Sequence, residues 1–229
     1  MSGPLRLSPS ITYLEAMPPG HRSKLATILF VPGWITPADI FEEQLAYFSR
    51  TRRVVAMEPR SYGLSSQTTE GNSPEGHARD IHTVIEQLKL ASVVIVGWSM
   101  GVEAVVAYID QFSSKAVTRL VLVDELLVFD RNADFMKAYM DFSWGYQSDA
   151  RAFIARSVRG MFKRPQSDSY YERLVRLRLR TPTSTAVALL DSWIARDRAP
   201  LLEKINIPTL IIAAGKDAGT SRLNGLCRA

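Results

Sequence analysis

A chain of 229 residues, 46% of them apolar and 22% charged, can bury one large core and does not have the composition of a disordered or fibrous protein. A net charge of +5 and a pI near 9.4 raise nucleic-acid binding, but the positive excess gathers in Arg151–Arg180 without a phosphate loop, zinc spacing or interleaved aromatic–basic strand. The single cysteine, Cys227, excludes an internal disulfide and fits a reducing compartment.

Met1–Tyr13 has no continuous apolar stretch of the signal-peptide kind, and no run approaches the roughly 20 apolar residues of a membrane span. A soluble cytoplasmic protein without a nucleic-acid or membrane partner is the expectation. The arginines of 151–180 read as a solvated helix face, with steering of an anionic substrate as the alternative.

In chain order, Ile11–Ala16 reads as an early strand and Met17-Pro18-Pro19-Gly20-His21 as a turn. Leu25–Val31 is a continuous apolar run, the pattern of a strand covered on both faces, and Pro32-Gly33-Trp34 stops it. Pro37–Arg50 has helical spacing at Ile40, Phe41, Gln44, Leu45 and Phe48. A short strand at Arg53–Met57 leads into the loop Glu58–Ser66. Ser73 and Pro74 open a helix that runs to about Leu88, with the proline at its first position.

The most informative stretch is Val93–Val106. A β-branched run ends in Gly97-Trp98-Ser99-Met100-Gly101, and an apolar helix pattern follows. Gly-x-Ser-x-Gly between a strand and a helix is the pattern of a nucleophile elbow, a tight turn that lifts a serine hydroxyl above the sheet edge. The N–H of Met100 then falls at a helix N-terminus, where unpaired donors and the helix dipole favour negative charge. The alternative is a glycine-rich turn with an incidental serine; the flanking strand and helix favour the nucleophile.

Arg119–Val123 is a further strand, ending at Asp124. The alternation of strands and helices predicts an α/β fold with a mostly parallel sheet, helices on both faces and right-handed crossovers. Ligands then bind beyond the carboxyl ends of the strands, where Trp34, Arg60, Ser99 and Asp124 fall. Residues 125–204 break the rhythm with helical segments rich in aromatics and read as a helical cap insertion. A few of those aromatics line a pocket in this reading; most pack the insertion on the sheet. Residues 1–124 and 205–229 form the core, and 205–217 returns to the sheet pattern as another buried strand that ends in a glycine turn, with Asp217 just beyond the carboxyl edge.

Four of these features, in this order, resemble the α/β-hydrolase superfamily, in particular its cap-bearing esterase and non-haem haloperoxidase-like branch. They are Pro32-Gly33-Trp34, the loop Glu58-Pro59-Arg60-Ser61-Tyr62-Gly63-Leu64-Ser65, the elbow Gly97–Gly101, and Pro208–Asp217. The departures are Pro32 for the family's histidine, Glu58 for its aspartate and Ser61 for its first loop glycine. The resemblance implies Ser99 as nucleophile on a carboxylic ester or related acyl bond. It implies Trp34 and Met100 N–H groups as the oxyanion hole and Asp217 as the acid, with Asp124 as an alternative acid. A small-molecule substrate, no metal and no organic cofactor go with it. A serine at the elbow argues against the dehalogenase and epoxide-hydrolase branches.

The family's histidine follows its acid, whereas this chain has His21, His77 and His82 and none after Asp217. The expectation is a chain truncated relative to its family by roughly 40 residues, lacking the last strand and helix. Its activity is then impaired, or it is a silent ligand-binding protein or a fragment. An open edge at the 207–214 strand is a template for self-association.

Overall fold

The apolar runs become one sheet. The structure, a computed structural model, describes residues 9–18, 24–112, 115–125, 127 and 131–213. Thr27–Val31 (β2), Val54–Met57 (β3), Val93–Trp98 (β4), Val117–Val123 (β5) and Thr209–Ile212 (β6) run parallel, and Tyr13–Ala16 (β1) pairs antiparallel with β3. The strand order is β1-β3-β2-β4-β5-β6. From β2 the chain steps one way to β3 and then returns to the other side of β2 for β4. The order reverses there, so the loops after β2 and β4 diverge and leave a crevice between them.

Pro74–Gln87 (α2) and Gly101–Phe112 (α3) cover one face, where Ile81, Val84, Val102 and Val105 pack with Leu29, Val55 and Ile95. Ser73 caps α2, its hydroxyl accepting from the Gly76 N–H at 3.2 Å. On the opposite face the expected helix over 37–50 is split into a 3₁₀ turn, Ala38–Phe41, and Glu42–Phe48 (α1). These cover Ile28, Phe30, Val54 and Ala56. Beyond them Val94, Val96, Trp98, Val121 and Val123 floor an open trough of about 860 Å³.

Among the described residues the strand read at 207–214 lies at the sheet edge, as expected of it: β6 is outermost, with Leu210 57% and Ile212 46% exposed. A strand with a neighbour on one side only keeps surface that a central strand loses, and both residues also line the trough.

Between β5 and β6 come Ala133–Ser148 (α4), Ala150–Gly160 (α5), Asp168–Arg178 (α6), Thr183–Ala195 (α7) and the single turn Ala199–Leu202 (α8). Asn132, Asp149 and Ser167 cap α4, α5 and α6, accepting from the N–H groups of Phe135, Ala152 and Tyr170. Helices α4 to α7 share a core of their own. Tyr146, Ile154, Leu174 and Leu189 pack there with Trp34, Ile35, Tyr62 and Met100, residues of the loops at the carboxyl edge. Among the described residues no helix is long and apolar enough to cross a membrane.

A close backbone approach joins β2 to the start of α3. A Cβ on Gly101 would stand 2.4 Å from the Val31 carbonyl oxygen and 2.7 Å from that of Pro32. Backbone cannot rotate away as a side chain can. Gly101→Ala is therefore expected to lower stability by roughly 2–3 kcal/mol. Gly160→Ala, where a Cβ meets nothing within 4 Å, should be neutral or gain up to about 1 kcal/mol. Urea unfolding of the two variants checks both.

Candidate active site

Ser99 follows β4 with φ at +50°, a left-handed conformation that side chains rarely adopt. Two backbone bonds hold it there. Its N–H donates to the Val123 carbonyl at 2.8 Å, and its carbonyl accepts from the Val102 N–H at 2.7 Å, which starts α3. The neighbours must be small, since a Cβ on Gly97 would lie 2.9 Å from Val102 Cα. Across the crevice, a Cβ on Gly33 would lie 2.8 Å from Ser99 Cβ and 3.2 Å from its Oγ. The turn after β2 thus stands directly beside the serine hydroxyl.

That turn is strained as well. Ile35 has φ at +45°, an outlier for a β-branched residue. Such strain persists only where the surroundings over-determine it. Here the Trp34 indole donates to the Ala186 carbonyl at 2.8 Å, and Thr36 Oγ1 donates to the Trp34 carbonyl at 3.0 Å. The Arg178 guanidinium reaches that same carbonyl at 3.4 Å. With its carbonyl held on that side, the Trp34 N–H has no acceptor among the described residues, and neither has the Met100 N–H. Two donors are left beside Ser99.

Over them lies a cavity of about 400 Å³. Its floor is Gly33, Trp34, Ser99 and Met100, and its roof is Phe135, Tyr139, Phe142, Leu190 and Trp193 from α4 and α7. Phe142 sits 5.4 Å from the Trp34 ring, and Tyr146 meets that ring edge-on at 5.0 Å. Spacing separates the aromatics. Residues 135, 139 and 142 share one face of α4, whereas Trp144 lies off it and is 71% exposed.

A family model of the alpha/beta hydrolase fold matches residues 26–226. The chain belongs to the α/β-hydrolase family. Over 97 residues, 42% of the chain, it is 32% identical to a bifunctional esterase/perhydrolase of Acinetobacter calcoaceticus, and the match spans only 35% of that relative's length. An AB hydrolase superfamily protein of Bacillus subtilis is 24% identical over 201 residues, 83% of this chain and 74% of that one. Among solved structures, a bromoperoxidase from Bacillus anthracis superposes with a TM-score of 0.79 at 24% identity, covering 91% of this chain and 78% of the other. An esterase from Exiguobacterium antarcticum gives 0.77 at 20% identity, with coverage of 89% and 76%. These last two similarities establish the fold.

Within this α/β-hydrolase frame, Asp217 and His21 lie outside the described residues. Asp124 ends β5 at φ +52°, and its N–H is bonded to the Ile212 carbonyl at 2.8 Å. Its Oδ1 is buried with no hydrogen-bond partner among the described residues. It does not line the cavity; the next residue, Glu125, does, accepting from the Trp193 indole at 3.2 Å. His77 is buried edge-on to Tyr62 at 5.0 Å, and burial pushes its pKa down to about 4 against the opposing charge of Asp80. His82 stacks on Phe112 at 4.2 Å. Neither lines the cavity.

The Glu58–Ser65 loop is a brace. Buried Glu58 accepts from the Ala38 N–H at 3.1 Å and the Leu64 N–H at 2.7 Å, with burial raising its pKa. Arg60 grips Asp80 of α2 through both carboxylate oxygens at 2.6–3.1 Å. So braced, the loop holds Tyr62 with its hydroxyl 4.0 Å from Met100 Sδ.

One group escaped the sequence reading. Glu103, four residues after Ser99, is wholly buried in the first turn of α3, 3.3 Å from Arg198. The only hint is a carboxylate in an otherwise apolar run. Burial pushes its pKa up to about 9, Arg198 opposing and Glu125 and Glu75 adding to the rise. Between the ordinary value of 4.5 and about 9 the folded chain therefore holds a proton that the unfolded chain has released. Stability falls as pH rises through that window. Glu103→Gln should match the wild type most closely below pH 4.5 and gain on it by about 1–3 kcal/mol towards pH 9. Urea titrations across that range provide the check.

Proposed function

We propose that the protein is a serine hydrolase acting on a carboxylic ester or related acyl bond. One observation carries the reading: a left-handed Ser99 beside Gly33, under an apolar cavity and between two uncommitted backbone donors. Ser99 Oγ attacks the acyl carbon, and the Trp34 and Met100 N–H groups receive the developing oxyanion. Such a donor is typically worth about 3 kcal/mol. The dipole of the twelve-residue α3 adds favourable potential at the same end. Residues 125–204 act as a cap whose aromatics exclude water and favour an apolar acyl or alcohol part. Asp217 is the acid in this reading, and Asp124 its alternative.

The positions of His77 and His82 bear on the rate. Neither is at the cavity, and on the reading that no other base serves Ser99, its attack and the release of the acyl group are slow, since a triad without its base retains only roughly 10³–10⁴-fold over water. The same observation favours a second reading, a hydrolase fold that binds a small apolar ligand without turning it over. The similarity to a bifunctional esterase/perhydrolase makes peroxide-dependent acyl transfer at Ser99 a further activity to assay.

Intact-mass analysis after a fluorophosphonate probe separates the two main readings. The expected outcome is one adduct per chain, absent in Ser99→Ala, and an acyl burst with p-nitrophenyl acetate followed by slow turnover. Labelling no faster in the wild type than in Ser99→Ala would leave the binding reading. Exposed β6 is proposed as the strand through which two copies pair. Light scattering should then show mass rising with concentration, and monodisperse monomers would count against pairing.

A further inference from the structure

We propose that the cavity over Ser99 takes ligands carrying a carboxylate, and that the Arg178 guanidinium is the group that binds it. The inference deepens the hydrolase reading, resting on this cavity as the substrate site. It starts from a departure in the basic segment. Arg151 and Arg159 are exposed and paired with Glu172 and Asp168 at 3.0 and 2.9 Å, as a solvated helix face requires. Arg178, in the last turn of α6, is 2% exposed and lines the cavity.

The other fully buried guanidinium group among the described residues, that of Arg198, lies 3.2 Å from Glu75 and 3.3 Å from Glu103, and the partly buried Arg60 is paired with Asp80. Arg178 has no carboxylate within 4 Å among the described residues. Its hydrogen-bond contacts are neutral and long, the Trp34 carbonyl and Ser157 Oγ at 3.4 Å and Met161 Sδ at 3.8 Å, and its guanidinium lies over the Trp34 ring at 5.8 Å from the centroid. Its Nε has no partner. Glu125, the other charged residue on the cavity wall, forms no ion pair with it.

Burying an uncompensated charge costs several kcal/mol. Neutralisation does not avoid that cost, because burial lowers the Arg178 pKa only to about 10. The protein therefore keeps a fixed positive charge against a largely apolar wall, beyond Trp34 from the serine. A ligand carboxylate would give that charge the anionic partner it lacks, through charge-assisted bonds of about 2.8 Å in a fork geometry that suits two oxygens. A neutral ester gains nothing there.

Monomethyl adipate and dimethyl adipate share a chain and differ in one charge at neutral pH. Trp34, Trp98 and Trp193 line the cavity, so tryptophan fluorescence reports binding without turnover. In the Ser99→Ala protein the monoester should bind about tenfold more tightly than the diester. Adding Arg178→Met should reduce that preference to within twofold; Arg178→Lys should retain part of it. Equal binding of the two esters, binding of neither at millimolar concentration, or an equal loss of both in Arg178→Met would overturn the proposal. The comparison of the two esters decides it even if Arg178→Met does not fold. Fluorophosphonate labelling keeps the two readings apart: a chain that labels at Ser99 without preferring the anion refutes only the role of Arg178. One that prefers the anion without labelling is a binder whose anion site stands.

Discussion

The structure depends on one close approach, that of the turn after β2 to the elbow after β4. Gly33 meets Ser99, and Gly101 meets the carbonyls of Val31 and Pro32, at distances where a single added carbon would collide. Parallel pairing of β2 and β4 brings the two carboxyl ends level, from Thr27 opposite Val93 to Val31 opposite Gly97. Chain reversal at that point sends the two loops apart above the sheet. The Ser99 hydroxyl and the Trp34 and Met100 N–H groups are thereby placed by backbone, with little left to side-chain rotation.

Backbone strain at such a site has to be held by something. Ser99, Ile35 and Asp124 all sit at positive φ, at the ends of β4, β2 and β5. Ser99 and Asp124 have their N–H groups tied to the next strand, through Val123 and Ile212. The Ile35 turn is tied upward instead, through the Trp34 indole to Ala186 and the Trp34 carbonyl to Arg178. The helices between β5 and β6 therefore do more than roof the cavity. They fix which way the Trp34 peptide faces, so the direction of its N–H depends on both layers.

Charge burial is the second organising feature. Glu58, the Arg60–Asp80 pair and the Arg198–Glu75–Glu103 group each join segments far apart in sequence. Each removes charge from water and is compensated by directed partners, except where Glu103 takes up a proton instead. Arg178 is compensated by neither route among the described residues, which sets it apart from the other buried charges.

The sequence by itself determined the strands, the elbow and the family, because these rest on local patterns. Apolar runs such as Val93–Val96 mark buried strands, glycines at 97 and 101 mark a turn with no room for side chains, and the order of four motifs is a property of the chain alone. The spacing of residues 135, 139 and 142 also held the cavity face, once α4 was seen to run through them. Tertiary structure decided the rest. Whether β6 is buried depends on what lies beside it in the sheet, which its own apolar pattern does not contain. Asp124 and Glu125 are adjacent and chemically alike, yet only the second lines the cavity, because the left-handed turn at 124 decides where each side chain points. Arg178 looks like its neighbours Arg176 and Arg180 in sequence. Its burial follows from the rotation of α6 against Trp34, a contact 144 residues away along the chain.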